Sequence, residues 1–130
     1  RQFCLVPLGR FFEPCWETGK AVPWSIHRQD GEPFTVAGIW DRWNDRATGE
    51  IVVSFSMLTI NADGHPIMGR FHRPGDERRS LVVVPRRAWH DWLTASTETA
   101  RAMLAEMPVA EFTSESAMGL SSAPAQASFL

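Results

Sequence analysis

Apolar positions along this chain come in short runs separated by turn residues, a rhythm that favours strands over long helices. Phe3-Cys4-Leu5-Val6 is an apolar run ended by Pro7. Leu8-Gly9-Arg10 then turns into Phe11-Phe12-Glu13-Pro14-Cys15-Trp16, where one carboxylate sits among aromatics. Residues 24–27 and 34–40 read as strands, and the Asp30-Gly31 pair between them predicts a hairpin. Residues 44–49 (NDRATG) form a second turn, from which 51–58 returns as a β-branched strand. Residues 81–84 make another such strand, and both runs are expected to be buried. Consecutive strands of this kind point to an antiparallel meander or barrel rather than βαβ repeats.

The period changes near the C-terminus. Residues 66–71 predict one short helical turn, and Pro85 ends the last strand. Trp89, Trp92, Leu93, Ala100, Met103 and Leu104 recur at helical spacing. Ser96 or Thr97 can cap a second segment running to about Met107, so two short helices are expected rather than one. From residue 113 the chain becomes small and polar (TSESAMGLSSAPAQA) and reads as a tail. The expectation is therefore an α+β domain over residues 1–112, with an antiparallel, barrel-like sheet core and short peripheral helices, followed by a flexible tail over 113–130. Of the six tryptophans, four or five are expected in the core.

Composition narrows the function classes. The chain is 44% hydrophobic and 22% charged with a formal net charge of −2, as expected of a soluble globular protein that is not basic all over. No apolar run reaches the roughly 18 residues a membrane helix needs. No signal-peptide design opens the chain, and cysteines 4 and 15 give neither a disulfide framework nor a zinc site. A reduced, cytoplasmic protein follows from this reading. Twelve of the thirteen basic residues are arginine, and six (70, 73, 78, 79, 86 and 87) lie between Asp63 and Trp89. Such a cluster suits a phosphate site, and equally suits solvated arginines paired with nearby acids.

Four histidines (27, 65, 72 and 90) lack the paired spacing of metal ligands, so no metal and no cofactor is expected. His72 alone stands on a loop leading into a strand, where a general acid or base is useful. Glu13 is the carboxylate that could partner it, although spacing does not show that they meet. Nucleophile-elbow, P-loop and dinucleotide motifs are absent.

Several segments in order carry a resemblance. Phe3-Cys4-Leu5-Val6-Pro7 followed by Phe11-Phe12-Glu13 is similar to "RCLIPADGFYEW". Pro23-Trp24-Ser25-Ile26-His27-Arg28, Gly31, and Ala37-Gly38-Ile39-Trp40-Asp41-Arg42-Trp43 resemble "PYFIHRADGRPLAFAGLWERW". Residues 54–59 resemble "SFTILT", His72 and Arg79 ahead of 81–84 resemble "HKPGDEKRMPVIL", and Trp89-His90-Asp91-Trp92-Leu93 matches "W-x-x-WL". On these segments the chain resembles the SRAP family, the SOS-response-associated peptidases, over most of residues 1–110.

The resemblance implies a sensor of abasic sites in single-stranded DNA, acting as a monomer. In the family an N-terminal cysteine closes a thiazolidine ring on the open-chain sugar, leaving a covalent DNA–protein crosslink. By the same resemblance, Glu13 and His72 take the catalytic proton-transfer roles, and Thr59 and Arg79 take positions against the DNA backbone. The family's cysteine precedes the segment with which this chain begins, and Cys4 and Cys15 do not match it. A C-terminal portion of a longer protein is the favoured explanation; a divergent chain that lost the crosslinking step is the other. Arg10, Phe12, Pro14 and Ser80-Leu81 replace the family's glycine, tyrosine, tryptophan and Met-Pro. A non-catalytic single-strand binding module and an (auto)peptidase are the alternative functions.

Overall fold

The computed structural model describes residues 2–118. Eight strands and two short helices follow one another: β1 (Phe3–Leu8), β2 (Phe11–Cys15), β3 (Val22–Arg28), β4 (Phe34–Asn44), β5 (Ile51–Met57), β6 (Thr59–Asn61), β7 (Arg79–Leu81), α1 (Trp89–Leu93), α2 (Thr97–Ala102) and β8 (Phe112–Ser116). All pairings are antiparallel, in three open sheets ordered β1-β4-β5, β2-β3-β8 and β6-β7. The expected α+β class with an antiparallel sheet core holds; among the described residues the sheets stay open, so the core is barrel-like only loosely. Among the described residues no helix is long and apolar enough to cross a membrane.

The predicted hairpin around Asp30-Gly31 does not form. β3 pairs with β2 and β8, whereas β4 pairs with β1 and β5, so the chain changes sheets between them. The turn is built by Asp30 itself. Its carboxylate accepts from Arg28 Nε (3.0 Å) and Nη2 (2.7 Å) and from the Glu32 amide (2.9 Å), an Asx-type closure with Gly31 at φ 75°. The 44–49 turn does connect β4 to β5, through Asp45 N–H to Glu50 O and Gly49 N–H to Asp45 O.

Two buried clusters lie on opposite faces of the β1-β4-β5 sheet. Consecutive β4 residues divide between them, as a period of two requires: Val36 joins Phe11, Ile26, Phe71 and Phe112, while Ala37 joins Val82, Val84 and Trp92. Gly38 is confined to glycine by close approach, since a Cβ there would lie 2.9 Å from Cys4 Sγ and 3.1 Å from Ser56 O. Trp92 is the only tryptophan buried throughout; Trp43 is 60% exposed, so the ring count expected in the core is too high. The Trp92 indole N–H donates to Cys4 O at 2.8 Å and its ring lies 4.8 Å from Phe3. Both cysteines are free.

The helices follow the pattern. Ser96 caps α2 by accepting from Thr99 N–H, but the helix stops at Ala102 rather than near residue 107. Met107 instead turns into the first cluster, where its carbonyl meets His65 Nε2 at 2.7 Å. His65 Nδ1 accepts from the Ile67 and Met68 amides, so the buried ring is a structural tie. The tail is displaced as well. Residues 113–116, read as loose, complete the β2-β3-β8 sheet behind the buried Phe112; residues 119–130 of that segment lie outside the described residues.

Candidate functional site

Glu13 occupies the middle of β2, and its side chain takes the same face as Phe11 and Cys15, which are buried. A carboxylate on a core-facing position is stripped of water. Burial accordingly pushes the Glu13 pKa up, while the nearby His72 opposes that rise. Glu13 Oε2 lies 3.7 Å from His72 Nε2, with both side chains about four-fifths buried (19% and 22% exposed). That separation permits ion pairing but is too long for a direct hydrogen bond.

His72 is delivered by the loop after a 3-10 turn (Met68–Arg70). Phe71 bridges to Cys15, and the His72 amide donates to Pro14 O at 3.1 Å. The loop is thereby stitched to the strand that carries Glu13. Pro14 causes no loss here. It stands opposite Pro23, and the carbonyls of both point outward, to His72 and Ala117 respectively. The two missing N–H groups therefore fall on a rung that does not need them. His72 also holds φ at 82°, the only non-glycine positive φ among the described residues. Such a conformation costs about 1–2 kcal/mol for an L-residue, and surrounding contacts must hold it. His72 Nδ1 is buried and has no hydrogen-bond partner among the described residues.

Arginines and tryptophans line the same segments. The Arg70 guanidinium lies 4.5 Å above the Trp24 ring, and Trp24 is the residue opposite Glu13 on β3. Glu17 accepts from Arg70 Nε and Nη2, which lowers the Glu17 pKa. Arg73 lies 5.8 Å from the Trp16 ring, and Trp16 Nε1 is buried with no hydrogen-bond partner among the described residues. These contacts carry no motif signature along the chain. Only the alternation of Trp and Arg around Glu13 and His72 could have suggested cation–π pairing.

Thr59 and Arg79 meet, on the β6–β7 pair. Arg79 Nε donates to Thr59 Oγ1 (2.9 Å), Nη2 to Thr59 O (2.7 Å) and Nη1 to Glu77 Oε2 (3.0 Å). Glu77 also accepts from Asn61, so the guanidinium is fixed in place while still 42% exposed. No hydrogen bond or ion pair among the described residues joins this pair to Glu13 and His72. The six arginines are not one free patch: Arg70 and Arg79 are paired with acids, Arg78 donates to Gly69 O and Asp76 O, and Arg86 lies over Trp89.

The site is thus a largely buried acid–imidazole pair with an arginine–aromatic rim, on a frame of small antiparallel sheets. Such a pair serves proton transfer to a polar substrate. Residues 1–120 match the family model "SOS response associated peptidase (SRAP)", so the chain belongs to the SRAP family, whose name ties it to the response to DNA damage. Among solved structures it is similar to a Bordetella bronchiseptica protein, at 41% identity and a TM-score of 0.83 over 88% of this chain. A Bacteroides thetaiotaomicron protein shares the fold at 24% identity, with a TM-score of 0.75 over 89% of this chain. The chain spans about half the length of each, 54% and 49%. No curated protein matches it.

Proposed function

We propose that this chain carries the proton-transfer half of an abasic-site sensor acting on single-stranded DNA. Glu13 and His72 serve the chemistry, and Thr59 and Arg79 hold the backbone beside the lesion. The observation that carries this reading is the 3.7 Å approach of two largely buried ionisable groups from distant segments, one with its pKa raised by burial. An abasic sugar in its open form presents an aldehyde. An amine adds to that carbon, the carbinolamine loses water to an imine, and a thiol adds across the C=N bond to close a thiazolidine. Glu13, held toward its neutral form, can donate the proton that leaves with water. The His72 imidazole, with one ring nitrogen facing the Glu13 carboxylate, can accept and return protons.

The aminothiol is not supplied by this chain's cysteines. Cys15 is buried, and burial raises the Cys4 pKa, away from the reactive thiolate. The same facts weigh against a peptidase using either thiol.

The test is crosslinking to an abasic oligonucleotide by the Bordetella relative, with glutamine at the position of Glu13 or alanine at that of His72. Each substitution is expected to slow crosslinking by about 10²-fold or more. Unchanged rates would favour a non-catalytic single-strand binder, a reading to which the Arg70–Trp24 and Arg73–Trp16 stacks lend support.

A further inference from the structure

The β4–β5 ribbon departs from the rest of the molecule. Every residue of β5 from Ile51 to Ser56 is exposed, as are the last four of β4. Ile51, Val53 and Phe55 point to one face at 53%, 63% and 56% exposure, and their partners in register are Asn44, Arg42 and Trp40. Val52 and Trp43 form a smaller apolar pair on the other face. A two-stranded ribbon bare on both faces is marginal in water.

Among the described residues the outer edge of β5 is also open, since the sheet order ends there. Natural edge strands are normally blunted by charge, proline or a bulge. Residues 51–58 contain no charged residue and no proline. An apolar, unguarded edge of this kind marks a buried interface rather than a solvent surface. The first stripe leads inward to Met57, which packs against the first core cluster, so an occupant would extend an existing core. At the base of the ribbon a groove of about 410 Å³ is lined by Phe3, Ile39, Trp40, Phe55 and Ser56 among others.

What fits is indicated by the solved relatives. They superpose on nearly all of this chain, yet it spans only 54% and 49% of them. We propose that the β5 edge and the Ile51–Val53–Phe55 face are the seam on which the other half of an SRAP chain packs, adding strands to β5 and covering the stripe.

Two measurements test this. In the present chain, Val53→Lys and Phe55→Glu should leave the melting temperature within about 2 °C, because both side chains are already in water. The same substitutions at the matching positions of the intact Bordetella protein should lower it by about 10 °C or more, because each places a charge in a buried contact. Tolerance in the intact relative would overturn the proposal. In the second measurement, this chain is mixed with the separately produced remainder of the Bordetella protein and sized by light scattering. A one-to-one complex lost in V53K supports the seam. No complex, a complex indifferent to V53K, or a homodimer of this chain dissolved by V53K would each count against it.

Discussion

Glu13 carries a carboxylate into a face shared with Phe11 and Cys15, and its raised pKa has a consequence for stability. With the folded-state pKa above the unfolded one, the native state holds the proton more tightly. The ionised form therefore costs stability at neutral pH, and that cost is relieved as pH falls through the folded-state value. Glu13→Gln should be more stable than the parent at pH 7, with the difference closing on acidification, as read from urea midpoints across pH. A midpoint lower than the parent's at pH 7 would mean that the His72 attraction outweighs desolvation. His72 stores strain at the same place. His72→Gly removes the positive-φ penalty along with the imidazole, so its stability should remain within about 1 kcal/mol of the parent. Crosslinking by the intact relative carrying the equivalent change should nevertheless fall. A glycine variant that unfolded would show the ring to be a packing element.

At the scale of elements, β8 is the piece with the clearest energetic claim. Phe112 is 1% exposed, and its ring meets Phe34 edge-on at 5.0 Å. Phe112→Ala should cost about 3–5 kcal/mol in denaturant unfolding, whereas Glu115→Ala, on the same strand but exposed, should stay within about 0.5 kcal/mol. If both were neutral, β8 would not be part of the cooperative unit. This strand was illegible in the sequence because Thr113, Ser114, Glu115 and Ser116 carry no apolar alternation; their place is fixed by backbone pairing to β3. The reverse error occurred at β5, whose β-branched run reads as core. Periodicity reports which residues share a face, but not what covers that face. Local signals fared better. The Ser96 cap, the 44–49 turn and the helical spacing of Trp89 and Trp92 each act within a few residues, and each is where the sequence placed it. For the site, motif order alone singled out Glu13 and His72. Their approach depends on the Pro14–His72 and Cys15–Phe71 contacts, which span more than fifty positions and have no local signature.

At the scale of the whole molecule, the proposed function divides into chemistry and binding, and that division can be measured. Ring closure on an aldehyde needs a free amine two carbons from a thiol. Cys4 and Cys15 both have their nitrogens in peptide bonds; Cys15 is buried, and partial burial raises the Cys4 pKa. The Arg70–Trp24 and Arg73–Trp16 stacks and the anchored Arg79 offer charge and aromatic faces that need no nucleophile. This chain incubated with a single-stranded abasic oligonucleotide should therefore bind it in low salt, with affinity falling as salt rises, and yet leave no band shift on a denaturing gel. Arg73→Ala should weaken that binding by roughly 5–30-fold, the equivalent of about 1–2 kcal/mol for an arginine acting with a ring. A crosslink surviving denaturation would locate a competent nucleophile within these 130 residues and require the thiols to be reassigned. Binding indifferent to salt and to Arg73 would instead mean that these arginine–aromatic stacks do not hold the strand, and would leave only the proposed proton-transfer role of Glu13 and His72 to be tested.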